Sequence, residues 1–289
     1  MKAPRFQYVR AESVEQALDL LNRHGEEARI LAGGQSLMPT LNMRLSQPAI
    51  LIDINRLQAL RGISVADGTV RIGALARHAE VMESPVIARH LPLIAEAMPH
   101  VAHVAVRNRG TFGGSVALAD PAAEMPACAL ALGATFVVRS TRGRRAIAAD
   151  DYFKGLYETA RAADELLVET LIPAQAADRI SVFMELTRRH GDFAMAGLAC
   201  VASVSGEVVN EARLVYFGSE VRPILATRAM AAIRGKKWGD AAREAVNAAL
   251  TDDLDPMTNL QGSAAMKLHL QRVLTGRALD AAVARARTR

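Results

Sequence analysis

Hydrophobic and polar positions in the N-terminal part of the chain first follow a helical period and then form short buried runs. An apolar stripe at helical spacing starts after Ser13, a residue type that caps helices, and ends near Gly25. ARILAGG then predicts a buried strand, SLMPTLNMRL a helix opened by Ser36, and AILIDINRL a second buried strand. This alternation of helix and strand predicts an α/β unit over about residues 1–56.

The pattern changes near residue 57, where a second unit begins. GISVADGTVRIGAL predicts a β-hairpin that turns at Asp67-Gly68. Helical stretches follow in ARHAEVMES, PVIARHLPLIAEAMPHV and AAEMPACALAL, and two more strands are predicted from ATFVVRS and ELLVETLIP. We therefore expect a second α/β subdomain over 57–175, which completes an N-terminal domain over residues 1–175.

Strands and helices separate in the C-terminal part of the chain. Residues 174–178 (AQAAD) are small or polar and predict a linker. SVFMEL, FAMAGLACVASVS and VVNEARLVYFGS predict three successive antiparallel strands, and three helices follow, the last from about Leu260. Strands followed by helices indicate a smaller α+β domain over residues 176–289.

Composition argues against several classes of function. Lys and Arg number 35 against 30 Asp and Glu, and the only dense basic run is RARTR at the C-terminus. Since aromatic residues make up only 4% of the chain, which is too few for a base-stacking surface, we predict no nucleic-acid partner. No apolar stretch approaches the ~18 residues of a membrane helix, so we also predict no membrane span.

Cys128 and Cys200 are the only cysteines, and they lie far apart in apolar runs. Without a CxxC motif, we expect neither an iron–sulfur cluster nor a zinc ion, and no other metal site, in this chain. We predict that both cysteines are small buried hydrophobic residues. The lack of a disulfide framework and of a hydrophobic leader favours a cytoplasmic location.

Two glycine-rich loops carry the candidate chemistry. AGGQS (residues 32–36) follows a predicted strand, and RGTFGGS (residues 109–115) precedes a predicted helix. Paired glycines let backbone N–H groups approach a ligand closely, and a helix N-terminus adds oriented donors, which together suit a pyrophosphate. Two simpler interpretations stay open, because paired glycines often form only a turn and Asp120 could be a helix N-cap before Pro121.

Neither loop has the sequence of a standard nucleotide fingerprint. The chain contains no GxGxxG motif after a predicted strand and no GxxxxGK[ST] motif. Two separate loops with hydroxyl side chains in one α/β domain indicate instead a long ligand with two phosphates, held from both sides.

Four motifs resemble those of a known family. LAGGQSLMPTLNMRL, IGALARHAEV, VRNRGTFGGSVALADPAAEMPA and RRHGDFAMAG occur here in the order and rough spacing of the FAD-binding medium subunits of the xanthine dehydrogenase and aerobic carbon monoxide dehydrogenase family, the molybdenum hydroxylases. The resemblance covers nearly the whole chain. It implies a vanillyl-alcohol-oxidase-like (PCMH-type) FAD-binding domain of two α/β subdomains over 1–175. Over 176–289 it implies a domain similar to the carbon monoxide dehydrogenase flavoprotein C-terminal domain.

The resemblance also implies which residues contact FAD. The two loops would hold the pyrophosphate from opposite sides, Asp120 would bind the ribose or adenine end, and Phe193 would lie near the flavin ring. Some relatives carry Tyr in place of Phe193 and His in place of Gln35. No catalytic residue is implied, and His78 and His103 are the histidines expected nearest the cofactor. The full set comprises Leu31, Ala32, Gly33, Gly34, Gln35, Ser36, Leu75, Val101, Ala102, Thr111, Gly114, Ser115, Asp120 and Phe193.

The implied function is electron relay within a complex. A small partner subunit would carry [2Fe–2S] clusters, a large one would carry molybdopterin, and FAD on this chain would pass electrons to an acceptor. We expect a dimer of such heterotrimers. Two alternatives stay open at this point: a self-sufficient FAD-dependent oxidase or dehydrogenase, and a flavin-free binding or assembly protein.

Overall fold

The computed structural model describes residues 2–288, and its N-terminal part is built on a parallel sheet. The elements of this part are β1 (Gln7–Arg10), α1 (Val14–His24), β2 (Ala28–Leu31), α2 (Leu37–Asn42) and β3 (Ile50–Asp53). The strand order is β1-β3-β2, and α1 packs against β2 and β3. As predicted, Ser13 caps α1, because its side chain accepts a hydrogen bond from the Gln16 backbone N–H at 3.1 Å.

The second part is built on an antiparallel sheet. Its elements are β4 (Ile63–Ala66), β5 (Thr69–Gly73), α3 (His78–Glu83), α4 (Pro85–His90), α5 (Pro92–Ala97), α6 (Val104–Arg107), α7 (Phe112–Leu118), α8 (Glu124–Ala131), β6 (Thr135–Ser140), β7 (Gly143–Ala148), α9 (Ala149–Tyr152), β8 (Phe153–Gly155), β9 (Glu158–Thr159) and β10 (Leu166–Pro173). The sheet order is β4-β5-β10-β6-β7, and β8 pairs separately with β9. The β4–β5 hairpin turns where predicted, at Asp67 (φ 48°) and Gly68 (φ 71°).

Some elements differ from the sequence predictions for identifiable reasons. The strands β1 and β7 were not predicted, because most of their residues are exposed and carry no apolar alternation. The helix predicted in PVIARHLPLIAEAMPHV is divided into α4 and α5, followed by a 3₁₀ turn at Met98–His100. The division falls at Leu91, whose backbone is non-helical (φ −135°, ψ 60°) before Pro92.

The C-terminal part forms a third sheet covered by helices. Its elements are β11 (Arg179–Leu186), β12 (Ala196–Ser205), β13 (Val208–Phe217), β14 (Ile224–Leu225), α10 (Thr227–Ile233), β15 (Lys236–Lys237), α11 (Asp240–Asp253) and α12 (Ala264–Arg287). The three long strands β11, β12 and β13 are antiparallel, as predicted, and the two-residue strands β14 and β15 each pair with β13. No helix within residues 2–288 is both long and apolar enough to cross a membrane.

The second and third parts share one hydrophobic core. Fully buried side chains of α5 and α8 pack against the strands β11, β12 and β13. Phe183 on β11 stacks on Phe217 on β13 with ring centroids 5.6 Å apart. Cys128 and Cys200 are buried free thiols, as the sequence predicted. The interface between these two parts is therefore packed like a protein interior rather than like a surface contact.

A buried carboxyl group lies at this interface. Glu124, the first residue of α8, is only 6% exposed. Burial is the main cause that raises the pKa of Glu124 to about 8; the nearby Glu185 contributes to the increase, and His100 opposes it. His100 itself pairs with Glu185 at 3.2 Å (Nδ1 to Oε1). Glu124 is therefore protonated in the folded chain at neutral pH.

This protonation makes stability depend on pH. In the unfolded chain Glu124 ionises near its ordinary pKa of 4.5, but in the folded chain it ionises only near 8. The folded state thus binds more protons between these values, and the free energy of unfolding falls as pH rises through that window. We expect Glu124→Gln to remove this fall, which approaches about 1.4 kcal/mol per pH unit for one proton. Urea unfolding at pH 5, 6.5 and 8 measures the free energy of unfolding of both proteins. The control is Glu83→Gln, since Glu83 is exposed. Parallel stability curves for wild type and Glu124→Gln would contradict this expectation.

Candidate cofactor-binding site

The first glycine-rich loop, residues 32–36, connects β2 to the short helix α2. Gly34 adopts a left-handed conformation (φ 71°), which a residue with a side chain rarely adopts. Ser36 makes no capping hydrogen bond to α2, so its exposed hydroxyl is available to a ligand. The Gln35 side-chain Nε2 donates to the Gly33 carbonyl at 3.0 Å. Within residues 2–288, no protein acceptor is found for the backbone N–H groups of residues 33–36.

The second loop, residues 109–115, leads into α7 and is attached to the chain segment that follows β5. Gly113 and Phe112 donate backbone hydrogen bonds to the carbonyls of Ala74 (3.1 Å) and Ala76 (2.9 Å). Thr111 caps α7 by accepting a hydrogen bond from the Gly114 N–H at 3.0 Å. This cap leaves the hydroxyl hydrogen of Thr111 unused, but the residue is only 2% exposed, so donation from it to a ligand stays a prediction. Ser115 lies half-buried on the first turn of α7.

The two loops are in direct backbone contact. A Cβ atom at Gly33 would overlap the Arg109 carbonyl oxygen and lie 2.7 Å from the Gly110 Cα. The sequence predicted that glycine here lets a ligand approach; the structure shows that it lets the second loop approach. Asn55 and Arg77, which the sequence analysis missed, add side-chain hydrogen bonds between the loops. We call residues 32–36 and 109–115 together the glycine cradle.

The residues predicted near the flavin ring also lie close together. Arg107 is buried, and its Nη1 donates to the carbonyls of Val101 (2.8 Å) and Ala102 (2.9 Å), which holds Ala102 in a left-handed conformation (φ 43°). His103 packs on Gly191, where a Cβ would lie 2.6 Å from the His103 Cε1. This contact brings the loop that carries Phe193 next to the Val101–Ala102 segment. Phe193 is 55% exposed and could therefore contact a ligand.

Asp120 lies in a turn before α8 rather than at the helix N-cap, which is Ala123. Its Oδ1 accepts a hydrogen bond from the Ala122 N–H at 2.9 Å. Its Oδ2 accepts from the Tyr157 hydroxyl at 3.3 Å. Burial raises the pKa of Asp120, while these two hydrogen bonds lower it. Tyr157 was not predicted, because it is distant in sequence from Asp120 and lies in an unremarkable turn.

Leu75 and His78, both predicted from the sequence to lie near the cofactor, are buried. Leu75 is fully buried in the core of the N-terminal part, so contact between its side chain and the cofactor stays a prediction. Burial, with Arg107 and Arg77 nearby, lowers the pKa of His78 to about 4. The neutral His78 ring packs beneath Gly110, where a Cβ would lie 2.8 Å from its Cδ2. The His78 ring therefore supports the second loop through its contact with Gly110.

The residues of the glycine cradle fit a ligand with two phosphates. The first loop offers unpaired backbone N–H donors and the Ser36 hydroxyl. In the second loop the Thr111 hydroxyl is buried, and Ser115 is half-buried. Arg77 lies close enough to Arg61 and Arg109 for their charges to interact, and the carboxylates of Glu80 and Asp53 partly offset this cluster of positive charge. No group of three or more His, Cys, Asp or Glu residues in the described chain is arranged to hold a metal ion.

Comparison with known proteins identifies this architecture. Residues 4–175 match the family model described as the FAD binding domain in molybdopterin dehydrogenase. Residues 181–282 match the model described as the CO dehydrogenase flavoprotein C-terminal domain.

Similar proteins with curated names or solved structures cover the whole chain. The 6-hydroxypseudooxynicotine dehydrogenase complex subunit alpha of Paenarthrobacter nicotinovorans is 38% identical over 99% of this chain and 97% of its own. The carbon monoxide dehydrogenase structure from Hydrogenophaga pseudoflava is 40% identical, with a TM-score of 0.95 and 99% coverage of both chains. The quinoline 2-oxidoreductase structure from Pseudomonas putida 86 is 36% identical, with a TM-score of 0.93 and 99% coverage of both. The chain belongs to the family of FAD-binding medium subunits of molybdenum hydroxylases.

Proposed function

We propose that the glycine cradle binds the pyrophosphate of FAD and that the chain relays electrons within a molybdenum hydroxylase complex. The observation that carries this proposal is the set of unpaired N–H groups at residues 33–36, which face no protein acceptor. Gly33 and Gly34 are half-buried, and half-buried donors without partners are costly unless a ligand or water satisfies them. When bound, FAD supplies the redox chemistry, since flavin exchanges electrons singly or in pairs.

Each predicted contact residue has a proposed part in holding the cofactor. Leu31 leads the chain into the first loop. The loop residues bind phosphate through backbone and hydroxyl groups; they are Ala32, Gly33, Gly34, Gln35 and Ser36. Thr111, Gly114 and Ser115 bind it from the second loop. Asp120, supported by the Tyr157 hydroxyl, binds the ribose or adenine end. Leu75 lies along the cofactor.

The flavin end of the proposed site has an apolar character. Phe193 is exposed, and it carries no hydroxyl that could donate to the ring. Val101 and Ala102 present backbone that Arg107 holds in place. We assign no catalytic acid, base or nucleophile to this chain, so substrate oxidation belongs to another subunit.

The proposed partners follow from this division of labour. A large subunit would carry molybdopterin, a small one would carry the [2Fe–2S] clusters, and two heterotrimers would form the complex. Several relatives are named as subunits of such multi-chain enzymes, among them the nicotine 6-hydroxylase medium subunit. Cys128 and Cys200 are free thiols, the state that a reducing cytoplasm maintains, and a cytoplasmic location stays a prediction.

Gly33→Ala tests the cradle directly. The added methyl group would meet the backbone of Arg109 and Gly110, so the two loops must separate and FAD retention should fall by about tenfold or more. The control is Gly239→Ala, where a Cβ meets open space and the backbone is extended (φ 178°). The measurement is the flavin absorbance per chain in the purified proteins, with circular dichroism to establish that both are folded. Full flavin content in Gly33→Ala would refute the loop assignment.

Co-expression with a molybdopterin subunit and a small [2Fe–2S] subunit tests the relay. We expect native mass analysis to detect two copies of each chain. Reduction of an electron acceptor by the complex should be lost when this chain is omitted. Turnover of an organic substrate by the isolated chain would favour the self-sufficient oxidase or dehydrogenase. Absence of flavin absorbance would favour the flavin-free binding or assembly protein.

A further inference from the structure

Two side chains outside the predicted set connect the loops of the glycine cradle. Asn55, just after β3, donates through Nδ2 to the carbonyl of Ala32 at 2.7 Å and to that of Leu31 at 3.2 Å. Arg77, just before α3, donates through Nη1 to the carbonyl of Arg109. Arg77 Nη2 also donates to Asn55 Oδ1 at 2.6 Å. A continuous path of hydrogen bonds therefore runs from the first loop to the second.

The orientation of the Asn55 amide follows from its surroundings. Its Nδ2 faces three acceptors, which are two carbonyls and Asp53 Oδ1 at 2.8 Å. Its Oδ1 faces a guanidinium donor, so the reversed amide would place acceptor against acceptor on one side and donor against donor on the other. Asp53 is in turn held by the Tyr8 hydroxyl at 2.5 Å and by the Asn55 N–H at 2.8 Å. The amide thus has one favourable orientation.

Arg77 is also fixed at its own backbone. Its N–H donates to Glu80 Oε2 at 2.8 Å, and Arg77 forms an antiparallel bridge with Thr111 of the second loop. Arg61 Nη2 adds a hydrogen bond to the Asn55 carbonyl at 3.0 Å. Both terminal nitrogens of Arg77 bind protein acceptors, so this side chain is arranged to hold the loops rather than to bind phosphate itself.

We infer that Asn55 and Arg77 are positioning residues that set the spacing between the two loops and thereby select a ligand with two linked phosphates. The inference rests on the proposed FAD site. A hydrophobic cluster shared by the first and second parts, together with the contact at Gly33, brings the loops near each other. The hydrogen-bond path then fixes their spacing at the loops themselves. A ligand with one phosphate can be bound by one loop, whereas a pyrophosphate needs both at a fixed separation.

The test measures binding of FAD, ADP and AMP to the full-length apoprotein, by flavin fluorescence and by competition. For Arg77→Gln we expect FAD and ADP to bind at least about tenfold more weakly and AMP to change much less. Arg77→Lys keeps the charge but cannot reach both acceptors in the fork geometry, so it should restore affinity only in part. The exposed Arg89→Gln, with the same loss of charge on the same domain, should bind like wild type.

A double-mutant cycle provides a second measurement. Asn55→Leu and Arg77→Gln break the same path, so the double variant should bind FAD about as weakly as either single variant. Melting temperatures of the apoproteins establish that each variant folds. If Arg77→Gln does not fold, the binding measurements on Asn55→Leu test the inference in its place. Additive losses, full rescue by Arg77→Lys or equal losses for ADP and AMP would each overturn the inference.

The same experiments separate this inference from the proposed function. If Gly33→Ala loses FAD while Arg77→Gln binds it like wild type, the proposal that the glycine cradle binds FAD is supported. The positioning role of Asn55 and Arg77 is then rejected. If wild-type apoprotein takes up no FAD, both fall together.

Discussion

The backbone of the first loop contacts the backbone of the second loop at Gly33, which lies against Arg109 and Gly110. Neither loop could come so near the other if a Cβ stood between them, and the two loops belong to different sheets. The parallel sheet of the N-terminal part carries the first loop, and the antiparallel sheet of the second part carries the other. The candidate site therefore lies between two sheets that pack through one shared hydrophobic cluster, and its shape depends on how those sheets are oriented.

Local signals in the sequence predicted much of this arrangement. Short motifs of neighbouring residues were enough to predict the cap at Ser13 and the turn at Asp67-Gly68. The two glycine loops were likewise visible as short motifs. The strands β1 and β7 could not be predicted in this way, because exposed edge strands lack an apolar pattern. Asn55, Arg77 and Tyr157 were missed for a different reason. Their partners are remote in sequence, and only the fold brings the polar groups together.

Supporting residues differ in kind from the residues expected to touch the ligand. Arg107 is buried and holds the Val101–Ala102 backbone, and the neutral His78 packs beneath Gly110. These side chains are charged or titratable types that usually suggest direct chemistry, yet here they bind the protein's own carbonyls or fill space. These contacts hold the Val101–Ala102 backbone and Gly110 through groups of the protein itself.

The shared core between the second and third parts has a consequence for synthesis on the ribosome. The helices α5 and α8 are made before the strands β11, β12 and β13 against which they pack. Until those strands emerge, the apolar faces of both helices have no covering layer and are open to aggregation or to chaperones. A nascent chain that stops near residue 175 would thus contain both loops of the glycine cradle but lack the strands that cover α5 and α8.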